Sequence, residues 1–338
     1  MTILEALEVP IIAAPMAGGP SSPKLVDAIA AAGGFGFLAA GYLSPEKLRE
    51  QLAAVTAPRF GVNLFYPQEP LAEFLEVDAY AERLAPIFAA HNVQFPDYRG
   101  ADETDGFAAK LDVVCEEQPA VVSCTFGLFS EEEVARLHEA GIEVWMTVTN
   151  PEDAREAARR GADVLVLQGP EAGGHRATLT VSEEPDGRSL LELLAAVDVE
   201  KPLVAAGGLT SAAAVRAVLD AGARAAACGT AFLLADEAGT GQLQREIVTR
   251  GGKTATTRAF SGRIARGIET EFMRNNIDAP AAYPHVNTLM KPIRSVTSDT
   301  NYIAAWAGRQ VEHAFAGSAA EIVAALCEGE PDTASKTR

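Results

Sequence analysis

Eight short apolar runs punctuate the chain, at residues 11–14, 36–39, 60–63, 121–124, 143–148, 164–168, 203–206 and 225–228. Polar and apolar positions do not alternate within them, as expected for strands covered on both faces. The segments between carry helical periodicity and their own start and stop signals. Residues 21–32 open on serine and proline and end at Gly33-Gly34. Residues 130–140 open with Ser130 and Glu133, spaced as a capping box, and end at Gly141. Residues 151–160 stop at Gly161, and 211–221 stop at Gly222. Strand and helix in alternation, with a terminal glycine after each of these four helices before the next strand, predict an α/β fold. A (β/α)8 TIM barrel suits the pattern better than an open doubly wound sheet.

Two regions break the rhythm. Residues 64–119 are too long for one strand-to-helix connection and carry helical patterning around 71–90 and 107–117. Residues 236–305 are longer still, rich in Thr, Arg and Asn and poor in strand signals. They predict a small, mainly helical second domain inserted after strand eight. The expected division is therefore a barrel over 1–235, a substrate-covering lid over 236–305, and a C-terminal helix over 306–330 returning to the barrel. The helical periodicity of that last segment is read from residue 304 to 326, and the tail after Gly329 is read as frayed.

Composition narrows the class. The 338 residues are 48% hydrophobic and 22% charged, enough for a large soluble core. With 28 basic and 46 acidic residues the formal charge is −18, which disfavours nucleic acid and anionic membrane surfaces as partners. Cysteines 115, 124, 228 and 327 are too scattered for a metal or redox motif, and no metal site is expected. The N-terminus carries no basic leader and no run approaches a membrane span, so a cytoplasmic address is expected.

Candidate chemistry sits where the strands end, because barrel loops on that side converge. After strand one comes a kinked loop of small residues, Ala14, Pro15 and Met16 leading to Ala17-Gly18-Gly19, suited to a planar ring lying against backbone. Strand three ends at Asn63. Strand six ends at Gln168 and runs into Gly169-Pro170-Glu171-Ala172-Gly173-Gly174-His175-Arg176, a glycine-rich turn that delivers an imidazole. Strands seven and eight are followed by Gly207-Gly208 and by Ala227, Cys228, Gly229 and Thr230. Paired glycine turns at these two strands are a barrel's usual phosphate site, here with backbone N–H groups and the Thr230 hydroxyl and no basic side chain. A phosphate there, with amide side chains at Asn63 and Gln168, fits flavin mononucleotide, whose uracil-like edge both donates and accepts. The segment Gly34-Phe35-Gly36-Phe37-Leu38-Ala39 matches a dinucleotide fingerprint but runs into a strand, the wrong order for one.

Taken in order, the PMAG loop, GVN, SCTFG at 123–127, QGPEAGGHR, AAGGL and ACGTAF resemble the nitronate monooxygenases, FMN enzymes on a TIM barrel with a small covering domain. The Trp306-Ala307-Gly308-Arg309-Gln310 segment is similar to the class I variant. The resemblance spans nearly the whole chain and implies FMN contacts at Asn63, Gln168, Gly173, Gly208 and residues 227–230, with His175 as the catalytic histidine and Gly174 and Gly207 beside it. It departs at Ala177, where the family often has glycine, and at Arg309. The resemblance further implies a small anionic alkyl nitronate of the propionate 3-nitronate type and O2 as substrates, giving a carbonyl product with nitrite or nitrate. A homodimer is the candidate assembly. The competing reading is an NAD(P)H-dependent FMN reductase of quinones or enoyl thioesters, since such barrels share the glycine-histidine turn.

His175 has two readings. Protonated, it would orient the nitronate anion; neutral, it would take the α-proton of a nitroalkane. The first is preferred, since a nitronate needs no base. In Tyr283-Pro284-His285 of the expected lid, closure of the aromatic and imidazole groups over substrate is one reading, and the role of His285 is left open. Arg258, Arg263 and Arg266 are expected to pair with Glu269 and Glu271, with guidance of an anion as the alternative. The role of residues 298–310 as a flavin-side wall is left open.

Overall fold

The structure, a computed structural model, describes residues 2–328. Eight parallel strands close a barrel: β1 (Ile11–Ala13), β2 (Phe35–Ala39), β3 (Gly61–Phe65), β4 (Val121–Thr125), β5 (Glu143–Val148), β6 (Val164–Gln168), β8 (Leu203–Ala206) and β9 (Ala225–Cys228), with β9 pairing back onto β1. Every predicted strand is present within a residue or two. The capping box at Ser130 is formed in full and starts the helix Glu131–Glu139.

Side chains sort along the strands by the pleat. Ile11 and Ala13 face the outer helices, whereas Ile12 joins Phe35, Phe37, Val121, Trp145, Val164 and Val204 inside the barrel. These bulky residues fill the N-terminal half of the lumen. The short helix Leu4–Ala6 covers that end, and the Ile3 N–H donates to Glu143 Oε2 at 3.0 Å. Toward the strand C-termini the inward residues shrink to Ala14, Ala206 and Ala227. The lumen therefore opens into a cavity at the end where the loops gather.

Two further strands, β10 (Thr254–Thr257) and β11 (Ala265–Ile268), form an antiparallel sheet with the two-residue strand β7 (Gly174–His175). This sheet lies within the segment read as poor in strands, which is otherwise helical: Gln242–Arg250, Glu271–Asn275 and His285–Val296. The helix His285–Val296 shares a core with Leu75–Ala90, through residues such as Tyr80, Leu84, Phe88, Phe260, Leu289 and Ile293. Parts of the two rhythm-breaking regions thus share one core, whereas the helix Phe107–Glu117 of the first packs in the barrel's outer layer.

The expected C-terminal helix is shorter than its periodicity. Residues 304–318 are irregular, with one 3-10 turn at Val311–His313, and the helix is Ala319–Glu328. Backbone bonds elsewhere account for this: Ala307 N–H donates to Arg266 O, Arg309 N–H to Glu171 O, and Gly308 N–H to Thr230 Oγ1. The tail after Gly329 lies outside the described residues.

Candidate active site

One cavity of about 1250 Å³, counted to its open mouth, collects the strand ends. Of the expected residues, Ala14, Pro15, Met16, Asn63, Gln168, Gly173, Gly174, His175, Gly207, Gly208, Ala227, Gly229 and Thr230 line it. Cys228 does not. Its side chain is buried in the layer between barrel and helices, where burial also pushes the thiol well above its ordinary range. Cys124 is buried in the same layer, with its thiol pushed up to about 12 by burial.

The amides at the strand ends are already engaged. Asn63 Nδ2 donates to Ser123 Oγ at 2.8 Å and Thr125 Oγ1 at 3.1 Å, and its Oδ1 lies 3.5 Å from the Thr125 hydroxyl, which fixes the amide plane of this cavity-lining residue. Gln168 clamps the glycine-histidine turn: its Nε2 donates to His175 O at 3.0 Å, and its Oε1 accepts the Ala177 N–H at 2.9 Å. That leaves one hydrogen and one lone pair on the Gln168 amide for anything bound. At the other wall, the N–H groups of Gly207, Gly208 and Gly229 donate to no protein acceptor among the described residues. Unpaired, half-buried N–H groups such as these can donate to a bound anion. Thr230 Oγ1 sits at the same end, holding Gly308 at 2.9 Å.

Residues 306–310 form a wall across this end. A Cβ on Gly173 would fall 2.6 Å from Ala307 C and Gly308 N, so glycine is required for the two segments to touch. The Thr210 hydroxyl donates to Gln310 O at 3.0 Å.

His175 stands on strand β7, not in a free loop, in register with Ala265. Three rings surround its imidazole: Phe126 at 5.7 Å, Tyr283 at 5.7 Å and Trp306 at 5.5 Å between centroids. Its Nε2 lies 2.9 Å from Ser261 Oγ. Burial, then the positive charges of Arg263 and Arg294, push the imidazole down to about 3. That shift favours the neutral of the two readings of His175 over the protonated one.

The cations are arranged differently from expectation. Arg263, 1% exposed, stacks 4.1 Å over the Phe126 ring and donates to Gln68 Oε1 at 2.9 Å and Thr178 O at 3.1 Å. Arg294 donates to Phe260 O at 3.0 Å and Asn287 Oδ1 at 2.7 Å. Neither meets a carboxylate, so this wall carries uncompensated positive charge. Arg258 pairs with Glu184 at 2.9 Å, and Arg266 Nε donates to Pro170 O at 3.0 Å. Glu269 faces Lys253 and Arg274 instead, so the expected pairing with Glu269 and Glu271 does not form.

The closure reading is corrected for His285. It is wholly buried away from the cavity, with Nδ1 2.8 Å from Tyr98 O and Nε2 3.2 Å from Glu103 Oε1, a structural tie between the two insertions. Of that tripeptide it is Tyr283 that faces His175. Sequence reasoning missed Phe126, Ser261 and Tyr42, the last of which lines the cavity. Phe126 offered one signal in retrospect: it ends the SCTFG strand at φ +77°, a strained conformation for a large side chain, next to His175.

The family model for nitronate monooxygenase matches residues 2–329. A nitronate monooxygenase of Paraburkholderia phytofirmans is 34% identical, covering 96% of this chain and 92% of its own. A probable nitronate monooxygenase of Bacillus subtilis is 33% identical over 90% and 91%. Among solved structures, a nitroalkane oxidase from Streptomyces ansochromogenes superposes with TM-score 0.91 at 39% identity, over 96% of each chain. FabK from Thermotoga maritima shares the fold, with TM-score 0.73 at 23% identity over 96% and 94%.

Proposed function

The chain belongs to the nitronate monooxygenase family, and from that premise we propose that it oxidises alkyl nitronates with O2 using FMN held in the barrel-mouth cavity. The residues present suit that cofactor. Its phosphate would lie against the unpaired N–H groups of Gly207, Gly208 and Gly229 and the Thr230 hydroxyl, which neutralise an anion through dipoles where no lysine or arginine lines the turn. Ala14, Pro15 and Met16 offer a flat, apolar bed for the ring system, and Asn63 and Gln168 supply hydrogen-bonding groups to its edge. Bound there, FMN supplies the electron acceptor for the nitronate and the route of electrons to O2, the products being a carbonyl compound with nitrite or nitrate.

The protein's own part is recognition and exclusion. Phe126, Tyr283 and Trp306 wall the reacting end and keep bulk water off it. Arg263, buried, and Arg294, half-buried, form no ion pair among the described residues; they hold that end at positive potential and favour an anionic substrate. Neutral His175 contributes a hydrogen-bonding nitrogen to the substrate. The layer built from residues 236–305 and the helix Leu75–Ala90 covers the mouth.

The observation that carries this reading is the convergence of His175 and an array of unpaired backbone donors on one cavity, with the charges of Arg263 and Arg294 acting on that histidine from behind the lining. The test is anaerobic mixing of the purified yellow protein with NADH or NADPH. Flavin that stays oxidised supports a nitronate oxidase; rapid bleaching supports the reductase alternative and sinks the proposal.

A further inference from the structure

We infer that Ser261 is a positioning residue that fixes the tautomer of His175, protonated on Nε2 with the Nδ1 lone pair turned to the substrate. The inference rests on the proposed reading of the cavity as a nitronate-oxidising site. The serine is 1% exposed, on the connection between β10 and β11. That connection is stiff. Ser261 N–H and Gly262 N–H both donate to Arg258 O, at 3.2 and 2.7 Å, and a Cβ on Gly262 would fall 2.5 Å from Ala282 C.

Three groups surround Ser261 Oγ: His175 Nε2 at 2.9 Å, Arg263 O at 3.2 Å and Arg263 N at 3.4 Å. A hydroxyl has one hydrogen. The Arg263 carbonyl only accepts, so that contact takes the serine hydrogen, while the Arg263 N–H donates to the oxygen. The remaining contact, to His175, is then a bond only if Nε2 carries the hydrogen. The opposite tautomer would turn the serine hydrogen to Nε2 and strip the Arg263 carbonyl of this donor in a buried site, which is unfavourable.

Nδ1 has no protein partner among the described residues and belongs to a side chain lining the cavity. It therefore presents an acceptor. An acceptor equips the site to take a neutral nitroalkane as well and to convert it to the nitronate that is oxidised. The α C–H bond breaks, the proton moves to Nδ1, and the electron pair is left on the carbon–nitro unit as nitronate. The resulting imidazolium keeps its Nε2–H on Ser261 and gains an Nδ1–H facing the nitronate. The positive charges of Arg263 and Arg294 oppose the imidazolium but stabilise the anion formed with it.

Nitrogen-15 NMR of the flavin-loaded protein labelled in histidine tests this directly. The His175 signal, assigned by its loss in His175→Asn, should show a pyrrole-type Nε2 and a pyridine-type Nδ1. A resting Nδ1–H tautomer would overturn the inference without any variant being made. In Ser261→Ala the two nitrogens should average toward a mixture, and kcat/KM for a neutral nitroalkane should fall on the order of tenfold or more, with little change for a preformed nitronate. Ser261→Thr, which keeps the hydroxyl, should restore the wild-type tautomer. An unchanged tautomer and unchanged substrate ratio in a flavin-loaded Ser261→Ala protein would show the serine to be mere packing. Because the NMR readout needs no turnover, it separates a failure of this inference from a failure of nitronate oxidation itself.

Discussion

At the scale of single residues, His175 is the most constrained side chain of the cavity: its backbone is in register with β11, its Nε2 is tied to Ser261, and its ring is boxed by three aromatics. His175→Asn keeps the small polar shape, so FMN should stay bound while turnover of neutral nitroalkanes falls by roughly two orders of magnitude or more, and of preformed nitronates by less. Steady-state kinetics with both substrate forms checks this. The low pKa has a signed consequence for stability. A histidine near 6.5 unfolded and about 3 folded leaves the folded state binding fewer protons between those values, so its contribution is complete above about 6.5 and is lost as pH falls toward 3. Wild-type thermal midpoints should drop across that window more steeply than those of His175→Asn. Arg263→Met removes one of the two charges facing the imidazole, so the His175 pKa should rise and the KM for nitronate should increase; NMR titration and kinetics read both. The histidine and its turn were legible in sequence because apolar strand, glycine and imidazole lie within twelve residues. Ser261 was not, because it reaches His175 from 86 positions away through a sheet with no sequence signal, and Arg263 and Tyr283 were named without their contact to His175 being visible.

At the scale of elements, the barrel strands declared themselves by short apolar runs without alternation, and all eight form. The antiparallel sheet escaped because β10 reads TATT, β11 reads ARGI and β7 has two residues, none with apolar alternation. The overlong C-terminal helix has the opposite cause. An alanine-rich stretch with helical periodicity is pulled straight by backbone bonds to Arg266, Glu171 and Thr230. That wall depends on close approach at one glycine. Gly173→Ala should push residues 306–310 outward, cost about 1–3 kcal/mol, and weaken flavin retention; thermal melts and flavin stoichiometry measure both. An unchanged melt and full flavin content would show that the wall can yield.

At the scale of the molecule, bulky residues fill one half of the lumen and small ones the other, so the barrel is a packed floor beneath an open cavity. The two insertions, separate in sequence, join over its mouth through the helices Leu75–Ala90 and His285–Val296. No helix among the described residues is long and apolar enough to cross a membrane. The strongly acidic chain places two arginines that form no ion pair among the described residues beside the one histidine of the cavity, and there a net charge of −18 is locally reversed to receive an anion. Oxygen uptake on adding propionate 3-nitronate to the flavin-loaded protein, without NADH or NADPH, tests this account most directly. It predicts oxygen consumption that begins at once, with nitrite released in step. No oxygen uptake from a protein that carries its flavin would contradict it.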